Sequence, residues 1–372
     1  MGQLFSPGLQ AKRITSVRRV RELSIPGILA REVGARVAAQ DVVAYADQAG
    51  DVVMVRVAEK LGIEPSEVEH GLRVDVGQTV AVGDVLCEHA GLFGLFRSVF
   101  RSPAAGTIDF ITPRTGHIGI RLPGKRLELN AYIDGIVVEG VQGKSITVET
   151  RGALIQGIFG VGGERSGVIT PLSIAPTEEI HERHLGGNLM GAILVGGTRP
   201  SGAALRFAAE RGAVGMVIGS IDDQALAEYL GYDLGIALTG DEEVSMSVIV
   251  TEGFGAIPMA QRTLDLLTEF AGRRASINGA TQVRAGAIRP EIIIPHDLGG
   301  SEDPDVSLEG LKVGTAIRVI RVPYFGLRGT VVELPSEAAR IETGALARVL
   351  IARLEDGRLA AVPRANVEIA PS

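Results

Sequence analysis

The stretch VDVGQTVAVGDVLCEH (residues 74–89) decides the N-terminal fold, because it nearly repeats REVGARVAAQDVVAYA (residues 31–46) at an offset of 43 residues. Both copies follow the pattern V-G-x-x-V-x-x-x-D-V, in which a glycine permits a turn between two short strands. The residues that the two copies share are Val33/Val76, Gly34/Gly77, Val37/Val80, Asp41/Asp84 and Val42/Val85. The repeat predicts a β-rich domain over residues 21–150.

The second copy, together with RSPAAGTIDFI (residues 101–111), resembles the barrel-sandwich hybrid fold of biotinyl and lipoyl carrier domains. Such carriers present a lysine at the tip of the hairpin between these two stretches. The corresponding segment here, AGLFGLFRSVFR (residues 90–101), contains no lysine. The resemblance therefore implies the architecture without covalent carriage of biotin or lipoate, and we expect no cofactor.

The same hairpin segment is rich in large apolar side chains. An exposed cluster of this kind would be a patch that binds a partner. The alternative is that the cluster folds back as a core between two domains, and both interpretations stay open. The candidate contact residues are Leu92, Phe93, Leu95 and Phe96.

Composition limits the class of protein. With 372 residues, 45% hydrophobic and 22% charged, the chain can bury several cores, and we expect two or three domains. The single cysteine, Cys87, excludes an intramolecular disulfide, so a cytoplasmic location is the expectation. No apolar run approaches the roughly 20 residues that a membrane span needs, so none is predicted.

Positive charge is concentrated at the N-terminus. Residues 1–31 carry six basic side chains and one acid, whereas the whole chain has a net charge of −7. Residues 1–20 are therefore predicted to form a basic arm, which would contact phosphates or an acidic lipid surface. The alternative is a solubilising, partly ordered leader.

Alternating strand and helix patterns follow over residues 151–295. A glycine-rich stretch, residues 152–172, is interpreted as a loop that joins two domains. Beyond it, GAILVGG and AVGMVIGS predict buried strands, with a helix between them and further helices near residues 222–231 and 258–272. This order predicts an α/β domain with a mostly parallel sheet.

Two loops of this domain are candidates for ligand binding, because ligands bind at the carboxyl ends of parallel strands. GGTRPSG (residues 196–202) follows a strand and opens a helix, whose free amides could bind an anion. The alternative is an ordinary turn in which Ser201 lies near the helix cap. The candidate ligand-binding residues are Thr198, Arg199, Ser201, Gly202, Gly253 and Gly255.

No motif in the sequence carries catalysis. GIFGVGGERSG lacks the G-K-[ST] ending of a phosphate loop, and His181 and His184 are three residues apart, unlike the H-E-x-x-H spacing of zinc proteases. Cys87 has no positioned partner nearby in sequence. We therefore predict no catalytic residues and no metal site, and a non-enzymatic protein is the expectation.

A linker is predicted over residues 296–310, followed by a small β-barrel over residues 311–372. GTAIRVIRVPYFGLRGTVVEL (residues 314–334) resembles the KOW motif of NusG-type elongation factors and several ribosomal proteins. Arginine and aromatic side chains together suit RNA contact, although nine basic and seven acidic residues over 308–372 leave a net charge of only +2. A protein contact and a purely structural turn are the alternatives, and both stay open. The candidate contact residues are Arg318, Arg321, Tyr324, Phe325 and Arg328.

The predicted fold class is a multidomain α/β plus all-β protein: a β-rich barrel-sandwich hybrid, a central α/β domain and a C-terminal SH3-like β-barrel. The predicted function is a non-catalytic adaptor or scaffold that binds a protein partner or a ribonucleoprotein through the barrel and the apolar hairpin. Two alternatives stay open, a small-anion ligand-binding or enzymatic protein that uses the α/β domain, and an RNA-binding protein that uses the basic arm and the barrel. No oligomeric state is predicted.

Overall fold

The structure is a computed structural model of the chain. It describes residues 9–91, 96–232, 244–281, 289–303, 311–319, 324, 326–335, 338–340 and 346–369. The fold is β-rich, as predicted, and its strands form several sheets.

The N-terminal strands are β1 (Ala11–Glu22), β2 (Ile28–Leu29), β3 (Arg36–Val37), β4 (Val42–Gln48), β5 (Val52–Arg56), β6 (Thr79–Val80), β7 (Val85–Gly91), β8 (Phe96–Arg101), β9 (Gly106–Thr112), β10 (His117–Arg121), β11 (Lys125–Asn130) and β12 (Gly135–Val141). Two short helices, α1 (Val57–Leu61) and α2 (Pro65–Gly71), lie between β5 and β6.

The central elements are β13 (Ser145–Gln156), β14 (Phe159–Val161), β15 (Glu164–Pro171), β16 (Ala192–Val195), α3 (Gly202–Glu210), β17 (Gly215–Ile221), α4 (Asp223–Leu230), β18 (Ser247–Phe254), α5 (Gln261–Glu269), β19 (Arg274–Asn278) and β20 (Glu291–Pro295). The C-terminal strands are β21 (Ala316–Val319), β22 (Arg328–Glu333), β23 (Ala338–Arg340), β24 (Leu346–Leu354), β25 (Leu359–Pro363) and β26 (Val367–Ile369).

The sequence repeat builds the same turn twice. In the first copy, the backbone N–H of Ala38 donates to Oδ2 of Asp41 at 3.1 Å, and in the second copy Ala81 donates to Asp84 at 2.8 Å. An aspartate recurs at this position because its carboxylate accepts the amide of the residue three positions earlier.

The second copy belongs to a domain that is inserted between β4, the last strand of the first copy, and β11. Strand β4 pairs with β11, and residues 51–122 between them form a separate four-stranded sheet of order β5-β10-β9-β6 with a β7–β8 ribbon. The insert buries its own core, which includes Val57, Val68, Leu86, Ile108, Ile118 and Ile120. At its entrance the backbones approach so closely that a Cβ on Gly50 would lie 2.0 Å from the carbonyl oxygen of Leu122, so only glycine fits there.

Strand β3 of the first copy joins the central sheet, whereas β4 lies in a separate three-stranded sheet of order β11-β4-β2. The central sheet has the order β14-β18-β17-β16-β15-β19-β20-β13-β12-β3, and β1 also pairs with β13. The domain boundary predicted at residue 150 therefore falls inside β13, a 12-residue strand that runs through both regions.

The N-terminal arm predicted over residues 1–20 is instead part of this sheet from residue 11 onward. Strand β1 pairs antiparallel with β13 along its length. Ile14 and Val17 are each 2% exposed, so burial of apolar side chains holds the segment in place. Its arginines are paired with acids, because Arg18, Arg19 and Arg21 form ion pairs with Glu149, Glu291 and Glu164, and of the three the Arg18 side chain stays exposed, at 68%.

The central sheet is mixed, not mostly parallel. Strands β15, β16, β17 and β18 are parallel, whereas β14, β19, β20 and β13 add antiparallel pairs. Helices α3 and α4 pack on one face, where Leu205 and Leu226 join Leu194 in one core. Helix α5 packs on the other face through Leu267.

The loop predicted over residues 152–172 is absent. The segment forms the end of β13 and strands β14 and β15. Several of its glycines allow close packing of backbones, since a Cβ would lie 2.5 Å from the carbonyl oxygen of Gly191 on Gly167 and 2.2 Å from that of Ile294 on Gly152. Glycine content alone therefore predicted the wrong structure here.

The predicted linker is ordered over its first half, and residues 304–310 lie outside the described residues. His296 stacks on Phe270, with ring centroids 4.7 Å apart, and its Nε2 lies 2.7 Å from the carbonyl oxygen of Arg13. The carboxylate of Asp303 accepts a hydrogen bond from the Arg13 amide at 2.6 Å. These contacts place residues 296–303 along the start of β1.

The C-terminal strands form a six-stranded antiparallel sheet of order β23-β24-β22-β21-β26, with β25 paired to β24. Ile317, Val331, Leu350 and Val367 lie in its core. Across the described part of the chain, no helix is both long and apolar enough to cross a membrane.

Candidate functional site between the parallel strands and the C-terminal sheet

The loop after β16 uses its polar side chains for internal bonds. Thr198 is 4% exposed, and its hydroxyl donates to the carbonyl oxygen of Pro176 at 3.1 Å. Nε of Arg199 donates to Glu179 at 2.7 Å, and its Nη1 donates to Asp222 at 2.9 Å. Both side chains predicted to hold an anion therefore already have partners.

Ser201 and Gly202 begin helix α3. Ser201 is the N-cap, and its Oγ accepts a hydrogen bond from the amide of Ala204 at 3.1 Å. A Cβ on Gly202 would lie 2.3 Å from a carboxylate oxygen of Glu228, so an acid already lies against the first helical turn. An anion would be repelled at this end of the helix.

Ser220, at the end of β17, forms hydrogen bonds with both loops that were predicted to bind a ligand. Its Oγ lies 2.8 Å from the carbonyl oxygen of Gly255 and 3.2 Å from that of Thr198. The amide of Ile257 donates to the same Oγ at 3.0 Å. Thr198 and Gly255 are thus brought together, as predicted for strand ends at one edge, by a residue that the sequence interpretation missed.

Glu252, near the same edge of the central sheet, contacts the C-terminal sheet. It lies in β18 beside Gly253 and is 5% exposed. One carboxylate oxygen accepts the amide of Ala260 at 2.9 Å, and the other forms an ion pair with the guanidinium of Arg318 on β21. Because the Arg318 side chain is 7% exposed, it serves as a contact between the two domains and is not accessible to RNA.

Arg318 belongs to a charged row that crosses the outer face of the C-terminal sheet. Arg318 lies directly opposite Arg328, and the amide of Glu355 donates to the carbonyl oxygen of Arg328 at 2.9 Å. The neighbouring residues Ile317 and Leu354 point into the core of the C-terminal sheet, so the three charged side chains face away from it. Arg328 and Glu355 are exposed, in contrast to Arg318.

A cavity of about 260 Å³ separates this row from the loop after β18. Glu252, Arg318, Arg328 and Glu355 supply its charged lining. Its other lining residues are Ile257, Pro258, Met259, Ala260 and Gly326. The cavity therefore combines two charges of each sign with one apolar wall.

The other candidate contact residues near the C-terminus lie in different environments. Tyr324 is half-buried against the core of the C-terminal sheet, and the guanidinium of Arg358 lies 5.7 Å from its ring centroid. Arg321 and Phe325 lie outside the described residues. Of the five predicted contact residues, Arg328 is the exposed one among those that the structure describes.

The apolar hairpin is the β7–β8 ribbon. Glu88 on β7 forms ion pairs with Arg73 at 3.1 Å and with Arg97 on β8 at 3.0 Å. Leu92, Phe93 and Leu95 lie outside the described residues, and Phe96 is placed only as the first residue of β8.

The two remaining candidates do not support chemistry. Nε2 of His184 lies 3.4 Å from Glu178, and within the described residues no three His, Cys, Asp or Glu side chains are placed to hold a metal ion. Burial raises the pKa of the Cys87 thiol, which disfavours a reactive thiolate.

No family model matches this chain, and no curated protein matches it either. Its function therefore has to follow from the geometry described above. The residues that matter most at the site, Glu252 and Ser220, lacked any motif, and only their position at the ends of β17 and β18 pointed to them.

Proposed function

We propose that the chain is a non-catalytic adaptor that binds a protein partner through the β7–β8 ribbon, with the C-terminal barrel as a second contact surface. The observation that carries the proposal is that the far end of this ribbon extends beyond the core of the inserted domain. Its base is buried through Leu86 and Cys87, whereas Ala90, Arg97 and Ser98 are exposed. Within the described residues, β7 and β8 pair with each other and otherwise form one bridge, between Cys87 and Leu72.

The ribbon has the dimensions and surface of a binding element. Seven residues of β7 span roughly 24 Å at about 3.4 Å per residue. Ala90, Arg97 and Ser98 are exposed near its end, and the connecting residues 92–95 are Leu-Phe-Gly-Leu. Apolar residues carried between exposed positions favour a protein contact.

Affinity purification from the native lysate, with and without nuclease, tests the proposal. We expect Phe93→Asp to lose a partner that wild type retains. Val76→Asp is the matched control, since Val76 is 61% exposed on the same inserted domain but lies outside the ribbon. Equal retention by both variants would contradict the adaptor function.

Nuclease treatment separates the RNA alternative from the protein one. An RNA-linked partner would be lost on nuclease treatment, and RNA affinity would fall steeply with salt. The burial of Arg318 and the modest net charge of residues 308–372 favour the protein partner.

A further inference from the structure

We propose that the cavity between β18 and the C-terminal sheet binds a small zwitterion, an α-amino acid with an apolar side chain. The carboxylate of such a ligand would bind Arg328, its ammonium would bind Glu355, and its side chain would lie on the wall formed by residues 257–259. The proposal does not depend on the adaptor function.

The first argument is the state of the charges. At the inner end of the cavity, Glu252 and Arg318 neutralise each other. At the mouth, the described residues offer neither Arg328 nor Glu355 an ion pair or a side-chain hydrogen bond, although the two are backbone neighbours. One cation and one anion therefore remain at the mouth for a ligand that carries both charges.

The second argument is the placement of two arginines. Arg318 and Arg328 lie directly opposite each other on adjacent strands, an arrangement that like charges disfavour. Glu252 forms an ion pair with the buried member of the pair. A carboxylate bound at Arg328 would relieve the remaining repulsion at the exposed member.

The third argument is size and position. The cavity volume of about 260 Å³ accommodates an amino acid but is smaller than the typical pocket for a nucleotide or drug-sized molecule. It lies against the carboxyl end of the parallel strand β18, which is the edge where α/β sheets bind ligands. Ile257, Pro258 and Met259 supply the apolar surface.

Calorimetric titration of the full chain with leucine tests the site. Three further probes carry part of the chemistry: 3-methylbutylamine has the amine alone, 4-methylpentanoate has the carboxylate alone, and inorganic phosphate is a simple anion. We expect saturable binding for leucine at concentrations up to about 10 mM, which would detect a Kd near 1 mM. We expect none of the three probes to bind comparably.

Charge-neutral variants locate the binding. Arg328→Gln and Glu355→Gln should each weaken leucine binding about tenfold or more, because each removes a hydrogen bond to a charged group. Arg353→Gln is the matched control, since Arg353 is exposed on β24 and does not line the cavity. Binding that survives both cavity variants, binding of any of the three probes as tight as that of leucine, or no binding of leucine would overturn the proposal.

Discussion

The carboxylate of Glu252 and the guanidinium of Arg318 form an ion pair whose side chains are 5% and 7% exposed, and it joins the central sheet to the C-terminal sheet. Breaking a buried pair by removal of one partner leaves an uncompensated charge. We expect Arg318→Ala to lower the free energy of unfolding by about 3–5 kcal/mol, as measured by chemical denaturation.

Arg56→Ala serves as the comparison for this pair. Arg56 and Glu59 are 63% and 62% exposed, and such a surface pair contributes less than about 1 kcal/mol. The double variant Glu252→Leu/Arg318→Met, which removes both charges, should recover much of the loss. A loss for Arg318→Ala no larger than that for Arg56→Ala would refute the buried interface.

Gly50 lies at the entrance to the inserted domain, where its backbone packs against the backbone of Leu122. We expect Gly50→Ala to destabilise the protein by about 1–3 kcal/mol, because the new Cβ would overlap a backbone oxygen that cannot move independently. The midpoint of thermal unfolding measures the effect. Gly186→Ala, where nothing lies within 4 Å of the new Cβ, should leave the midpoint nearly unchanged, and equal shifts for both would contradict the packing described.

Tyr132 gives the protein a pH-dependent stability at alkaline pH. Burial raises the pKa of its phenol well above the ordinary value of about 10, and Glu291 and Glu164 act in the same direction. A raised pKa in the folded state means that the stabilisation is complete below the ordinary value and is lost as the pH rises beyond it.

Tyr132→Phe should therefore have a flatter decline of unfolding free energy above about pH 10 than wild type. At neutral pH it should cost about 1 kcal/mol, because the hydroxyl no longer donates to Glu291 at 3.1 Å. Denaturation at several pH values checks both points, with Tyr45→Phe as the control. Identical pH profiles for wild type and Tyr132→Phe would rule out this role.

Ser201 stabilises α3 as its N-cap. Ser201→Ala should reduce stability by about 1 kcal/mol, since the Ala204 amide loses its acceptor. Ser98→Ala, at an exposed position of β8, should change stability by less than about 0.5 kcal/mol. Denaturation curves of the two variants that coincide would argue against the cap.

Arg199 has two acidic partners, so we expect inorganic phosphate to produce no stabilisation that depends on it. Thermal unfolding of wild type and Arg199→Ala with and without phosphate measures this. A phosphate-dependent rise in the wild-type midpoint that is lost in Arg199→Ala would instead restore the anion-binding interpretation of this loop.

Local signals in the sequence predicted local structure. The aspartates of the repeat and the cap residue Ser201 act within four residues of their partners, so their patterns identified the turns and the start of α3. The buried strands β16 and β17 were also predicted, from their continuous runs of apolar residues.

Partners distant in sequence could not be predicted. Arg318 was interpreted as an exposed contact because its burial depends on Glu252, which lies in a different domain. The basic residues of β1 similarly suggested an arm, since the acids that neutralise them, such as Glu291, lie far along the chain. Charge counted along a sequence does not show which charges are paired.

The domain inserted between β4 and β11 is separable from the rest of the chain. Gln48 on β4 and Lys125 on β11 are paired directly across the two strands. The chain therefore enters and leaves the inserted domain at adjacent positions. Replacement of residues 49–124 by a two-residue turn would therefore join β4 and β11 in an ordinary hairpin. The inserted domain has its own core, and its two connections to the rest of the chain lie side by side at one place.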